Sequence, residues 1–402
     1  MKLYKRKLFN EIKPYLGDNI VVVINGARQV GKTHLLFFIQ QYLEKKHYKV
    51  FYYDLELAFL LTTLNQGIDS FILNLEGKGY EKGKEIFVLI DEIQYLDNPS
   101  SFLKIIADHY KNIHLIVSGS STFDIKSKFK NSLAGRTAPF EAFPLDFSEF
   151  LTFKESEYVN ISDLSPMGLD QIKTLYREFI KYGGYPRIVL ETKDEKKNLY
   201  LNQIVDAYIR KDIRDLANIA DIRKFNGMLK VLASQSGQIL NVSALSRETG
   251  ISQPTIHKYL YILEETYIIK LIPPYSKSPS VEISKNPKIF FYDSGLQSIL
   301  WLNNFQETII GSIFETNIFG ELAKKYGRNN INFWRTKIGQ EIDFIVEKEN
   351  REIVPMEAKT NFGKFNPRAI NTFGNKYAIK DWVVVGLEGK KVNKNYKYPW
   401  EI

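Results

Sequence analysis

The sequence predicts an α/β protein of several domains, with a parallel sheet at its front and a second α/β region at its back. Three observations predict this. A buried strand at residues 20–24 runs into Gly26-Ala-Arg-Gln-Val-Gly-Lys-Thr33 and then into an apolar helix. Further apolar strands follow it, KVFYYDLE, EIFVLIDEIQYL and IHLIVSGSS, at the spacing of a parallel sheet with helical crossovers. Near the C-terminus, EIDFIVEKENREIVPMEAK alternates apolar and acidic residues on both sides of a polar turn, which reads as a hairpin.

Size and composition agree with this reading. A chain of 402 residues is too long for one ordinary core. It is 44% hydrophobic and 25% charged, normal for a soluble globular protein. There are no cysteines, which excludes a disulfide scaffold and any thiolate metal site. No apolar run approaches the ~20 residues of a membrane-spanning helix. The start, MKLYKRKLFNEIKPYL, is basic and then amphipathic and lacks a signal-peptide core, so a cytoplasmic location without membrane attachment is expected. The 55 Lys+Arg against 46 Asp+Glu give +9, and part of the surplus thickens in the tail KKVNKNYKY. Such a surplus suits nucleic acid and equally suits an ordinary solvated surface.

The first element carries the clearest chemistry. Residues 26–33 fit G-x-x-x-x-G-K-[ST], with the strand and helix on the correct sides. Gly26 and Gly31 let the backbone turn its N–H groups toward phosphate oxygens, and the helix N-terminus adds a partial positive charge. Gly26, Ala27, Arg28, Gln29, Val30, Gly31, Lys32, Thr33 and His34 are therefore expected to cradle ATP. Lys32 would reach the β- and γ-phosphates, and the Thr33 hydroxyl would hold Mg²⁺. The strand EIFVLIDEIQYL ends in Asp91-Glu92. Asp91 would bind Mg²⁺ through water, and Glu92 would polarise the attacking water. The strand IHLIVSGSS ends in Ser118 and Ser120. Hydroxyls there suit a γ-phosphate sensor, and serine is also the ordinary turn residue.

From 169 to 236 the pattern is helical. ILNVSALSRETGISQPTIHKYLYILEETYIIKLIPPY then reads as two helices around the turn Gly250-Ile251-Ser252, with Pro254 in the first turn of the second helix. Leu245, Tyr259, Ile262 and Leu263 recur at core spacing. YIIKLIPPY and PKIFFYD would be the strands of a wing. Gln253, Thr255, His257 and Lys258 lie where a recognition helix meets DNA. A packing or protein-contact role for these helices is the alternative.

GARQVGKT, LIDEIQYL, VSGSS and SLAGRTAPFEAFPLDFSEF together resemble prokaryotic ATPases of the AAA type that carry a nuclease-like domain in their C-terminal half, and the resemblance spans nearly the whole chain. It implies an AAA-type P-loop core over 1–164, a helical lid over 165–236, a winged helix-turn-helix over 237–300 and a restriction-endonuclease-like PD-(D/E)XK domain over 301–402. Arg136, just before the apolar stretch 138–145, matches an arginine finger, which would make the protein a homo-oligomer. An ion pair within the chain is the alternative. Arg187 in GGYPR is similar to the phosphate-contacting lid arginine, and a surface arginine after a turn is the plain alternative.

The C-terminal hairpin poses a physical question. A turn centred near Asn350 sets Asp343 directly across from Glu357, although like charges opposed on a sheet cost about 0.2–1 kcal/mol. A divalent cation between them would reverse the sign of that interaction. Asp343, Glu357 and Lys359 match the PD-(D/E)XK pattern residue by residue, with Mg²⁺ or Mn²⁺ as the second metal and Lys359 beside the phosphate. Glu315 would add an acid from an upstream helix that packs through Ile313, Phe314, Ile318 and Leu322. Asp343 follows Ile342 rather than proline, a looser form of the pattern. FWRTKIGQ reads as a neighbouring strand and turn. The bland alternative is a cross-strand pair of Lys359 with Glu341. Together these readings lead to the expectation of a Mg²⁺-dependent ATPase acting on or bound to DNA, with a metal-dependent nuclease domain. The other reading is a nucleotide-dependent signalling or defence switch whose back end binds without cleaving.

Overall fold

The computed structural model describes residues 2–119, 133, 135–159, 165–206, 219, 221–276 and 286–402. The chain divides into two compact units, residues 1–143 and 144–402. The first unit ends inside the expected 1–164 core. The second contains the stretches read as lid, helix-turn-helix and C-terminal α/β region.

Five strands build the first unit: β1 (Val21–Gly26), β2 (Lys49–Asp54), β3 (Ile86–Asp91), β4 (Ile113–Gly119) and β5 (Thr137–Ala142). They form one parallel sheet in the order β2-β3-β4-β1-β5. β1, β3 and β4 are buried along their whole length, which is why their sequences are continuous apolar runs rather than alternating ones. Helices α1 (Leu8–Ile12), α2 (Lys32–Glu44), α3 (Ala58–Asn65), α4 (Ile68–Gly77) and α5 (Pro99–His109) accompany the sheet. Phe71, Leu75, Leu103 and Ile106 pack with Val88, Ile90 and Val117 in its core. Asn98 starts α5 by accepting the Ser101 N–H, with Pro99 in the first turn, where its missing donor costs nothing.

The second unit begins with helices Phe147–Phe153 and Pro166–Tyr182. Gly183 and Gly184 then form a packing junction. Gly183 takes φ +77°, and a Cβ on Gly184 would lie 2.3 Å from the Leu145 carbonyl oxygen. Gly184 donates to Asp293 Oδ2 at 2.7 Å and accepts from Leu145 N–H at 2.7 Å. Helices Val242–Thr249 and Gln253–Glu265 follow, joined through a left-handed Gly250. Leu245, Tyr259, Ile262 and Leu263 are buried as their spacing predicts. β6 (Ile269–Ile272) and β7 (Lys288–Phe291) then pair antiparallel.

Helix Gly311–Tyr326 precedes a second sheet. Its strands are β8 (Ile331–Arg335), β9 (Glu341–Glu347), β10 (Ile353–Asn361), β11 (Val383–Glu388) and β12 (Tyr396–Lys397), in the order β12-β11-β10-β9-β8. β8, β9 and β10 run antiparallel, while β11 and β12 continue parallel to β10. Val346 faces Val354 and Phe344 faces Met356. One further step of that register brings Asp343 opposite Glu357, as the hairpin predicts. Ile313, Phe314, Ile318 and Leu322 of helix Gly311–Tyr326 are buried.

The Gly184 junction generates a prediction. Gly184→Ala should destabilise the second unit by about 3 kcal/mol, because a carbonyl stands where the new methyl would go. Gly227→Ala, in helix Ile222–Ser234 with nothing within 4 Å of the new Cβ, should be stabilising by about 0.5–1 kcal/mol. Thermal unfolding of both variants against wild type checks the pair.

Candidate functional site

The glycine-rich loop leaves β1 at Gly26 and enters α2 at Lys32. Gln29 (φ 61°) and Gly31 (φ 95°) both take left-handed backbone, the kind of turn that aims successive N–H groups inward. Ala27 and Val30 are fully buried and anchor the loop, Arg28 is half-buried, and Gln29 and His34 face solvent. Lys32 is 5% exposed, and its Nζ donates to the Gly26 and Ala27 carbonyls at 2.9 Å each. Burial pushes the Lys32 ammonium down to about 8, against the raising effect of Glu92 and Asp91. A buried cation resting on its own loop's carbonyls gains from a polyanion.

Asp91, at the end of β3, is 3% exposed. It accepts Thr33 Oγ1 at 2.6 Å, Tyr52 OH at 3.2 Å and the Ser118 hydroxyl. Thr33 begins α2, Tyr52 lies on β2 and Ser118 ends β4, so three elements converge on one carboxylate. Glu92 sits in left-handed backbone (φ 56°, ψ 47°), a conformation of some energetic cost that is typical of functional positions. The Gln94 side-chain amide donates to its carboxylate. Beside the loop, the buried Asn25 Oδ1 has no hydrogen-bond partner among the described residues. An ammonium, a hydroxyl, inward N–H groups and two carboxylates are a donor set that fits a Mg²⁺–nucleoside triphosphate.

The other expected positions are distributed differently. Arg136 Nε binds Asp108 Oδ1 at 2.6 Å within the same unit. Ser120 lies outside the described residues. Arg187 belongs to the second unit, where its guanidinium stacks on Tyr200 at 3.7 Å. Gln253, His257 and Lys258 are exposed on helix Gln253–Glu265 beside Tyr261, and Thr255 is half-buried.

A second cluster lies on the C-terminal sheet. Asp343 and Glu357 are 7% and 5% exposed. Lys359 Nζ donates to Asp343 Oδ2 at 2.9 Å and to Glu357 Oε2 at 2.6 Å. The Ala358 N–H adds a bond to Asp343 at 3.0 Å. Burial raises Asp343, but Lys359 and Lys288 outweigh it and hold the carboxyl below the usual range. Burial, then the charge of Asp343, pushes Glu357 up to about 8. The same two causes push Glu315 up to about 8. Lys359 therefore bridges the two opposed acids instead of pairing with Glu341. Glu341 is taken by Lys288 at 2.5 Å and Arg335 at 3.3 Å. Among the described residues, no group of three or more His, Cys, Asp or Glu is placed to hold a metal ion. On the sheet, the Lys359 ammonium supplies the charge that compensates the two acids. Placed so, the cluster does not fit a second divalent ion unless Lys359 moves.

Three residues of these sites carry no motif. Tyr52 reaches Asp91 only because β2 pairs with β3. Gln94 hides in the ordinary-looking IQY that follows Glu92. Lys288, 1% exposed, reaches Glu341 from β7. A lysine inside the apolar strand PKIFFYD was the available signal.

Residues 18–151 match the family described as "AAA domain". Residues 173–308 and 310–399 match two domains of unknown function, DUF8612 and DUF4143. An uncharacterized protein of Methanocaldococcus jannaschii is 30% identical over 364 residues, 87% of this chain and 77% of that protein. The chain belongs to that protein's family. Its AAA domain makes it a P-loop AAA-type ATPase by family relationship, and the relationship implies ATP and Mg²⁺. An uncharacterized Haemophilus influenzae protein is 27% identical over 301 residues, 73% of this chain and 72% of that protein. Among solved structures, Cdc6p from Pyrobaculum aerophilum is 12% identical at TM-score 0.33, covering 67% of this chain and 89% of that one. AMPPCP-bound DnaA from Aquifex aeolicus is 17% identical at TM-score 0.29, covering 64% and 86%. Superpositions this loose add no argument to the AAA-family match. Among the described residues, no helix is long and apolar enough to cross a membrane.

Two pH dependences follow for this AAA-family chain. Triphosphate favours charged Lys32, so above pH 8 binding must first take up a proton. ATP affinity should be level below that pH and fall about tenfold per unit above it, and Lys32→Arg should lose the dependence. This is read by nucleotide titration across pH. Glu315 and Glu357 bind protons more tightly folded than unfolded. The contribution of these two groups to folding stability should therefore be fully present below about pH 4.5 and be lost as pH rises toward 8. Glu357→Gln should flatten the slope of melting temperature against pH.

Proposed function

We propose that this AAA-type ATPase hydrolyses ATP with Mg²⁺ at the 26–33 loop and uses the cycle to act on DNA. The observation that carries the reading is the hydrogen-bonded set Thr33–Asp91–Ser118, which joins the loop helix to the acid strand. Thr33 and Asp91 would hold the Mg²⁺, and Lys32 the β- and γ-phosphates. Bound there, Mg²⁺–ATP supplies the phosphoanhydride and the charge that neutralises its oxygens. Glu92 takes the proton of the attacking water, and Gln94 holds its carboxylate until then. Ser118 reads the terminal phosphate. Arg136 serves as the finger of a homo-oligomer once released from Asp108, and a partly exposed ion pair of that kind opposes release only weakly. Arg187 is the lid arginine.

The exposed Gln253, His257 and Lys258 support a DNA-facing helix, with β6 and β7 as the wing of a winged helix. For the 301–402 region, the D…E-x-K hairpin supports a PD-(D/E)XK-like fold. Two functions of that fold differ in where Lys359 must lie. Cleavage requires a divalent ion to displace Lys359 from Asp343 and Glu357. A non-catalytic binding module, within a nucleotide-dependent signalling or defence switch, leaves Lys359 where it lies.

Glu92→Gln should keep ATP binding and lose about 10²-fold or more in turnover, measured as phosphate release. Plasmid with Mg²⁺ or Mn²⁺ should stay intact with wild type under the binding-module reading. Nicking that disappears in Lys359→Ala would instead establish the nuclease. Affinity for duplex DNA should fall steeply with salt, and a salt-independent or absent interaction would remove DNA from the account.

A further inference from the structure

The segment ahead of β1 takes no part in the reading above, yet it is tied into the phosphate loop. Arg6 is only 7% exposed, and a buried guanidinium needs partners. Its Nη1 donates to the Val30 carbonyl at 2.7 Å, and its Nη2 to the Phe143 carbonyl at 2.9 Å. Val30 is the loop residue before Gly31. Phe143 follows β5 and is the last residue of the first unit.

The same segment grips both neighbours of the loop. Phe9 packs edge-on against Phe38 and Tyr42 of α2, with ring centroids 5.0 Å apart in each case. Tyr15 packs on Phe140 of β5 at 5.4 Å. The start of the loop leans on the end of β5 as well, since a Cβ on Gly26 would lie 2.1 Å from the Ala142 carbonyl oxygen. A loop that turns N–H groups toward a ligand must send carbonyls the other way, and each buried carbonyl must be satisfied. Arg6 satisfies the one at Val30 and shares its guanidinium with the chain's exit from the sheet.

We infer that Arg6 is a positioning residue for the nucleotide site, holding the phosphate loop in shape and linking that shape to the Phe143–Pro144 junction where the second unit begins. The inference rests on residues 26–33 being the ATP site. A shift of the Val30 carbonyl on phosphate binding moves a guanidinium that also grips Phe143. The loop's state is thereby passed to the one covalent connection between the units.

The test uses the full chain, with Arg6→Lys and Arg6→Met beside wild type. Nucleotide affinity and amide hydrogen exchange are measured with and without Mg²⁺–ATP. In wild type, ATP should slow exchange in both 26–36 and 140–147. In Arg6→Lys, affinity should weaken about tenfold, with protection kept in 26–36 and lost in 140–147. Added guanidinium ion should restore part of the affinity of Arg6→Met, a rescue that a misfolded protein would not show. If Arg6→Met does not fold, Arg6→Lys alone decides. Wild-type affinity and unchanged protection of 140–147 in Arg6→Lys would overturn the assignment. A wild-type chain that binds no ATP would overturn the ATP reading and this assignment with it.

Discussion

The first unit is organised around one buried carboxylate. Asp91 is almost fully withdrawn from water, and an unpaired buried charge is expensive. Its hydrogen bonds come from three hydroxyls, those of Thr33, Tyr52 and Ser118, and from the Glu92 N–H. Hydroxyls soften the cost without cancelling the charge. The arrangement leaves room for a cation, and under the proposed reading a divalent ion on a triphosphate would supply it. The strand order explains why the donors are there. β3 lies between β2 and β4, so Tyr52 and Ser118 flank Asp91, while α2 brings Thr33 from the loop.

The C-terminal acids meet the same problem with a different solution. Asp343 and Glu357 face each other across a hairpin, and Lys359 on the same strand face reaches both. Here the compensating cation is covalently part of the protein. Lys288 repeats the device at Glu341. The two clusters thus differ in their appetite for an external ion, although both are buried carboxylates at strand positions. That difference separates the nucleotide site from the back end.

What could be read from the chain beforehand was local. The loop, the helix it opens, and Asp91-Glu92 are contiguous motifs with fixed strand and helix neighbours, so sequence order suffices. The hairpin register was legible because its polar turn is short and side chains alternate. The buried faces of helices Val242–Thr249 and Gln253–Glu265 were legible from helical spacing. Contacts between segments distant in sequence were not. Arg6 meets Val30 and Phe143 across 24 and 137 residues, and no periodicity announces such a pair. Tyr52 depends on a strand order that the sequence does not state. GGYPR drew attention for its arginine, whereas its glycines are constrained by Leu145 and Asp293. The first unit ends at Phe143, and the apolar run 138–145 crosses that point without a break.

The central claim is that the Asp91 carboxylate creates the demand for Mg²⁺ at a triphosphate site. Calorimetric titration of the full chain with ATP, with and without Mg²⁺, tests it most directly when wild type is set beside Asp91→Asn. The account predicts one site per chain that Mg²⁺ strengthens in wild type and leaves unaffected in the variant. Equal strengthening by Mg²⁺ in both proteins, or no binding heat in wild type, would contradict it.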